Sequence, residues 1–257
     1  MPLILHPNGF LTRRGSGFFR VSPQIGAGGP GGYGLGVNQS PRAPSGSRRL
    51  GLGLAYGHLN LRRNPFGELP LAERAPLAVV DLESHLEPHL LALGAGGFAL
   101  QFLGDKGTGK TSHLLAIGLR FPGAPYIHIP EGERPRTFPP GEPLFLDEAQ
   151  RVPSRSRREI FRTRRSLVLG THRDFRGELE GAGLRVVTII PAAIQSAGRL
   201  ATIFDRRIES ARRGPGPLPG VSHATIDRLR VQHGPNVRAM EDELFEHFLS
   251  LAEIGDV

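Results

Sequence analysis

At 257 residues the chain has room for one large domain, or for a core domain with a smaller one beside it. It contains no cysteine, which excludes disulfides, thiolate metal sites and cysteine nucleophiles and fits a reducing compartment. The formal net charge is +8, from 32 basic and 24 acidic residues, yet eight arginines and no acid precede Glu68, leaving 24 of each sign in the rest. The basic excess therefore lies in the N-terminal stretch and says little about what the body of the chain binds.

Residues 1–55 are rich in Gly, Pro, Ser and Arg and show no sustained periodicity. Such a stretch buries too little apolar surface to offset the entropy of ordering it, so it is expected to be a disordered tail. It reads as a basic arm for a polyanion or as a solvated tail. The N-terminus has no apolar run of signal-peptide length, and the most apolar segment, residues 90–104, is too short and glycine-broken to span a bilayer. A cytoplasmic location with no membrane span is expected.

Residues 56–70 hold a rigid turn at Asn64-Pro65-Phe66. Residues 77–93 carry apolar positions 79, 80, 82, 86, 90 and 91 and predict a helix that Pro88 splits or kinks. His85 and His89 share a helical face, but without a third ligand they read as surface histidines rather than a metal site. Residues 98–103, Phe-Ala-Leu-Gln-Phe-Leu, predict a strand, and residues 111–121 predict a helix.

Between them, residues 104–111 read Gly-Asp-Lys-Gly-Thr-Gly-Lys-Thr and fit the phosphate-binding pattern G-x-x-x-x-G-K-[ST]. Glycines let the backbone wrap so that successive N–H groups point at a triphosphate, and the helix that follows adds its positive end. Gly104, Asp105, Lys106, Gly107, Thr108, Gly109, Lys110, Thr111 and Ser112 are the candidate nucleotide-binding set. Lys110 is assigned to the β- and γ-phosphates and the Thr111 hydroxyl to Mg²⁺. Lys106 and Lys110 are the only lysines in a chain that otherwise uses arginine. A compact ammonium on a flexible stem is what a phosphate cradle wants.

A strand is predicted at 125–129, followed at 131–141 by a proline-rich connection without a helical pattern. Residues 143–148, Pro-Leu-Phe-Leu-Asp-Glu, predict a buried strand ending in two acids. Asp147 is the candidate for the Mg²⁺ shell and Glu148 for polarising an attacking water. Residues 154–165 predict a helix bearing six arginines, either a solvated face or a contact for nucleic-acid phosphates or a neighbouring subunit. A fourth strand at 166–169 runs into Gly170-Thr171, which puts Thr171 at a strand tip. A fifth strand at 184–190 is ended by Pro191. Helices follow: a face marked by Leu200, Ile203, Phe204 and Ile208; a helix capped by Ser222 and closed by Gly234; and one capped by Asn236 with a stripe at 237, 240, 244, 248 and 251. The whole predicts an α/β P-loop NTPase fold: a mainly parallel five-stranded sheet flanked by helices, then a small C-terminal helical lid. The boundaries are a tail at 1–55, a core at 56–195 and a lid at 196–257.

These motifs resemble the AAA+ division of P-loop ATPases, in particular the bacterial branch holding secretion-pathway and transposition-helper ATPases. The resemblance rests on residues 64–66, 104–111, 144–148 and 170–171, and on 201–211 and 234–239 in the lid. It implies an ATPase that binds ATP and Mg²⁺, works as a homo-oligomer and couples nucleotide state to a protein or DNA partner. It implies Thr171 as sensor 1, Arg238 as sensor 2, and Arg185 as the arginine acting across a subunit interface, with Arg173 and Arg176 as competitors. A slow-turnover, DNA-binding switch of the transposition-helper kind is the alternative, and a small-molecule kinase the third. The chain departs from the family in having a bare crossover at 131–141 where a helix is usual. It also shows no recognition domain after the lid, so the partner is expected at the tail, the loops or the arginine helix.

Overall fold

Five parallel strands form the centre of the molecule because their sequences are apolar on both faces, the signature of a sheet covered by helices on each side. The computed structural model describes residues 3–6, 9–11, 55–80 and 86–257. The strands are β3 (Phe98–Leu103), β4 (Tyr126–His128), β5 (Leu144–Asp147), β6 (Leu167–Thr171) and β7 (Arg185–Ile189). They lie in the order β4-β5-β6-β3-β7, all parallel. Two short N-terminal strands, β1 (Leu3–His6) and β2 (Gly9–Leu11), add to the β4 edge in antiparallel register and make the sheet seven-stranded.

Strand alternation sorts the core into two layers. Phe98, Leu100, Phe102, Tyr126, Phe145 and Val168 face one side, where α2 (Glu87–Gly94) and α3 (Lys110–Gly118) cover them. Ala99, Ile127, Leu144, Leu146, Leu167 and Leu169 face the other, beneath α4 (Ser154–Arg162) and α5 (Arg176–Gly181). No helix joins β4 to β5, as the proline-rich connection predicts.

Three expectations change. Residues 3–6 and 9–11 of the expected tail are strands, because an edge strand such as β4 supplies unpaired backbone groups that a short apolar segment can complete. Residues 12–54, by contrast, lie outside the described residues. The helix expected over 77–93, split or kinked at Pro88, is instead the end of α1 (Leu71–Leu77), extended backbone at Ala78 and then α2 with Pro88 in its first turn, residues 81–85 lying outside the described residues. Proline's fixed φ suits that first turn, so Pro88 starts a helix rather than kinking one. His85 lies outside the described residues, while His89 stacks on Phe98 with ring centroids 5.9 Å apart.

The third change concerns residues 56–69, expected in the core domain. Leu59, Leu61 and Phe66 are buried in the lid's own cluster, among α6 (Ala197–Ser210), α7 (His223–His233) and α8 (Val237–Ser250). Phe66 meets the rings of Phe204 and Phe248 edge-on at 5.7 and 5.1 Å. Asn64 Nδ2 donates to Phe245 O at 2.9 Å, while its Oδ1 accepts from Phe66 N at 3.0 Å. The Asn-Pro-Phe turn is therefore the strap by which the chain enters the lid before crossing to the sheet. Each lid helix has its cap: Ser196, Ser222 and Asn236 accept from the N–H three residues on.

Candidate functional site

Ligands of open α/β sheets bind beyond the carboxyl ends of the strands, at the point where strand order reverses. Here β3 is flanked by β6 and β7, and residues 104–109 turn from its carboxyl end into α3. A cleft of about 550 Å³ opens there between sheet and lid, lined by residues 106–113, Asp147, Glu148, Arg199, Arg207 and Arg238 among others. A wider, more open depression between residues 190–195 and α7 holds aliphatic side chains and an Asp227–Arg230 pair already 3.3 Å apart. The convergent polar groups are all in the deeper cleft.

Lys110, the first residue of α3, is 5% exposed and folds back over the loop, donating to Gly104 O at 2.8 Å and Asp105 O at 2.7 Å. Burial lowers its pKa, against the pull of Glu148, Asp147 and Asp105. Thr108 Oγ1 donates to Asp105 O at 2.9 Å and tightens the same turn.

Asp147, at the end of β5, is fully buried. Its Oδ2 accepts from Thr111 Oγ1 at 2.8 Å, Tyr126 Oη at 3.1 Å and His128 Nδ1 at 3.1 Å. Burial alone would raise its pKa, but these donors outweigh burial and hold the carboxylate ionised below its usual range. Among the described residues Oδ1 has no partner, and it faces Gly170, where an added Cβ would come within 2.7 Å of it. A buried carboxylate beside a threonine hydroxyl is the hard-oxygen donor set that suits Mg²⁺, which keeps most of its remaining ligands as water and phosphate. Among the described residues no cluster of three or more His, Asp or Glu side chains stands ready for a metal.

Glu148 follows with left-handed backbone (φ 64°) and lines the cleft. Its Oε2 accepts from Gln150 Nε2 at 2.7 Å and pairs with Arg151 at 3.2 Å, while His172 Nε2 stands 3.6 Å from Oε1.

Arg238, in the first turn of α8, is brought into the cleft. Thr171 and Arg185 are not. The Thr171 hydroxyl donates to Arg173 O at 2.8 Å and accepts from Arg173 N at 3.0 Å, closing a turn at the tip of β6. Arg185 stands at the amino end of β7, opposite Phe98, with its guanidinium 5.7 Å from that ring. Arg173 and Arg176 pair with Glu178 at 3.4 Å and Glu180 at 3.1 Å.

Several residues of the site escape a reading of motifs. Tyr126 and His128 alternate onto one face of β4, and His128 is in register with Asp147. His113, on α3, is buried 4.9 Å from the Phe102 ring, and its Nδ1 bonds Gly109 O at 2.9 Å. Arg199 of α6 bonds Val79 O and lies 3.4 Å from His113 Nε2. Arg207, 8% exposed, donates to Gly67 O at 2.8 Å and pairs with Glu241 of α8 at 3.3 Å. Arg199 thus ties the lid to the segment and helix on the sheet side of the cleft, while Arg207 braces the lid wall.

No protein-family model matches the chain, and no curated protein matches it. Among solved structures it is similar to the crystal structure of NtrX from Brucella abortus, with a TM-score of 0.38 and 13% identity. That match covers 69% of this chain and 53% of that one, so the chain spans about half the length of NtrX. Among the described residues no helix is long and apolar enough to cross a membrane.

Proposed function

We propose that the chain is an ATPase of the AAA+ type, cleaving ATP to ADP and phosphate and using the lid to pass nucleotide state to a partner. The observation that carries this reading is the convergence of Lys110, Thr111, Asp147 and Arg238 on one glycine-wrapped loop beneath a helical lid. Backbone amides of residues 105–110 and the α3 N-terminus bind the phosphates; Lys110 exchanges its two carbonyl partners for phosphate oxygens. Thr111 and Asp147 would hold Mg²⁺, which supplies charge neutralisation at the transferred phosphoryl group. Glu148 orients the attacking water and takes its proton at a carboxylate oxygen. Arg238 reaches from the lid toward the same charge. Thr171 supports the strand tip rather than touching phosphate, and Arg185 is left for a neighbouring copy in an oligomer.

A slow-turnover switch is the second reading, favoured by the three side chains that hold the Glu148 carboxylate. Calorimetric titration with magnesium-ATP and steady-state phosphate release decide both. Binding with turnover that is lost in Lys110→Ala and Glu148→Gln supports the ATPase, and binding with negligible turnover supports the switch. No nucleotide binding by folded protein overturns the reading altogether.

A further inference from the structure

The crossover from β4 to β5 runs beside α4 for the length of that helix. At its start Ile129 O accepts from Arg151 Nη1 at 2.7 Å, just ahead of α4. At its end Pro139 O and Gly141 O accept from Arg165 Nη1 at 2.8 and 3.4 Å, just past α4. Phe138 packs against the cluster that holds Ile160 and Phe161 of α4. This crossover strap, residues 130–142, and α4 therefore form one outer layer over this side of the sheet.

The solvent side of that layer is arginine. Arg134 and Arg136 stand on the strap, and Arg155, Arg158 and Arg162 on α4, all exposed. Spacings of three and four place the helical three in one row about 10 Å long. Arg157, on the opposite face of the same helix, is buried and forms a two-pronged pair with Glu178 at 2.9 and 3.0 Å. The outward arginines have no such use. Arg155 pairs with Glu159 at 3.1 Å, and among the described residues Arg158 reaches only Ser154 O at 3.3 Å. Arg134, Arg136 and Arg162 make no hydrogen bond or ion pair among the described residues. Glu131 and Glu133 share the strap, Glu133 directly before Arg134, and with Glu159 leave the five arginines in excess.

We propose that this strap-and-helix face binds the phosphate backbone of duplex nucleic acid, without reading sequence. Four guanidiniums lacking a carboxylate partner supply the fork geometry that phosphate oxygens accept and the counterion release that drives such binding. A protein partner fits less well. Protein interfaces are anchored by buried aromatic or aliphatic side chains, and the large exposed apolar residues (Leu91, Leu119, Ile190, Ile194, Val231, Leu249) all lie on other elements. Single strands fit less well too, because the face offers no exposed aromatic for bases to stack on.

The test is fluorescence anisotropy of a labelled duplex titrated with the full chain over a salt series, without nucleotide, so a failed ATPase reading leaves it interpretable. The quadruple Arg134→Ala, Arg136→Ala, Arg158→Ala, Arg162→Ala variant should weaken binding at least tenfold and flatten the log–log salt slope by about 3–4. The corresponding four-lysine variant should keep the slope near that of the parent, and thermal melts of both report folding. If the alanine variant fails to fold, the two double variants (134 with 136, 158 with 162) should each flatten the slope by about 2. Three outcomes overturn the proposal: an unchanged slope in the alanine variants, which places binding among the arginines before Glu68; single strands binding as tightly as duplex; or polyglutamate displacing the duplex at equal charge, which assigns the face to an acidic protein.

Discussion

Asn236 Oδ1 lies 1.9 Å from the point where a Cβ on Gly107 would stand, and Arg238 Cβ lies 3.3 Å from it. The N-terminus of lid helix α8 thus sits on the crest of the phosphate loop, and Gly107 is held at φ +85° in the gap. Changing Gly107 to alanine sets a methyl group against the cap that starts α8, in a backbone region that L-residues avoid. Gly107→Ala should weaken ATP binding at least tenfold, about 1.4 kcal/mol, by calorimetry. Asn236→Ala alone should cost about 1 kcal/mol of stability through the lost cap. Because it also removes the obstructing oxygen, it should restore part of the binding lost in Gly107→Ala. Additive losses in the double variant would sever loop and lid.

Thr111 and Lys110 sit side by side at the start of α3 but serve different partners. Lys110 Nζ is bonded to loop carbonyls, whereas Thr111 Oγ1 is bonded to Asp147. Lys110→Ala should therefore abolish nucleotide binding with or without magnesium. Thr111→Val should leave binding in the presence of chelator within about threefold, a difference under 1 kcal/mol. The gain on adding magnesium should be lost. Equal loss in both conditions would remove Thr111 from the metal's shell.

The sheet was legible because its strands are continuous apolar runs punctuated by glycine, proline or acids, and the loop was legible because its spacing encodes its geometry. What stayed hidden depended on partners distant in sequence. Residues 3–6 form a strand only because β4 has an open edge to pair with, and partners such as Leu3 and His128 lie far apart in the chain. His128 and Tyr126 look like ordinary strand residues until parallel register sets His128 beside Asp147. Arg199 and Arg207 carry no motif of their own, and only the placing of α6 over the loop brings them to the cleft. Thr171 shows the converse: its place in the chain suits a phosphate contact, but its hydroxyl is already spent on the Arg173 backbone.

His113 predicts a pH dependence. Burial pushes its pKa down from 6.5 to about 4, the nearby Arg199 charge lowers it further, and the bond to Gly109 O opposes both. The unfolded chain binds this proton more readily than the folded one, so His113 leaves stability intact above pH 6.5 and erodes it from there down to about pH 4. The full loss is on the order of 3 kcal/mol. Chemical denaturation at stepped pH should show that decline, and His113→Phe should flatten it, whatever its own effect at neutral pH. An unchanged slope in the variant would mean the ring is solvated.

Arg207 and Glu241 join α6 to α8 at 3.3 Å, and Arg207 also holds Gly67 O, so one side chain ties the entering strap to two lid helices. Burial raises the Glu241 pKa, while Arg207, Arg74 and Arg238 draw it back. A carboxyl with a raised folded pKa favours the fold at low pH and loses that advantage as pH climbs through the folded value. Removing Arg207 takes away the strongest restraint and leaves a largely buried acid without its main partner. Arg207→Ala should therefore cost about 2–4 kcal/mol at neutral pH, less than a fully buried pair because Glu241 keeps 24% of its side chain exposed. The loss should shrink as the solution is made acid, because burial holds the Glu241 pKa above its usual range and the stranded carboxyl takes up a proton. Adding Glu241→Gln to Arg207→Ala should recover part of the neutral-pH loss, since no charge is then stranded. Urea midpoints of the two single variants and the double variant, at neutral and acid pH, close the cycle. A double variant no better than Arg207→Ala would show that the Gly67 bond, not the ion pair, is what Arg207 contributes.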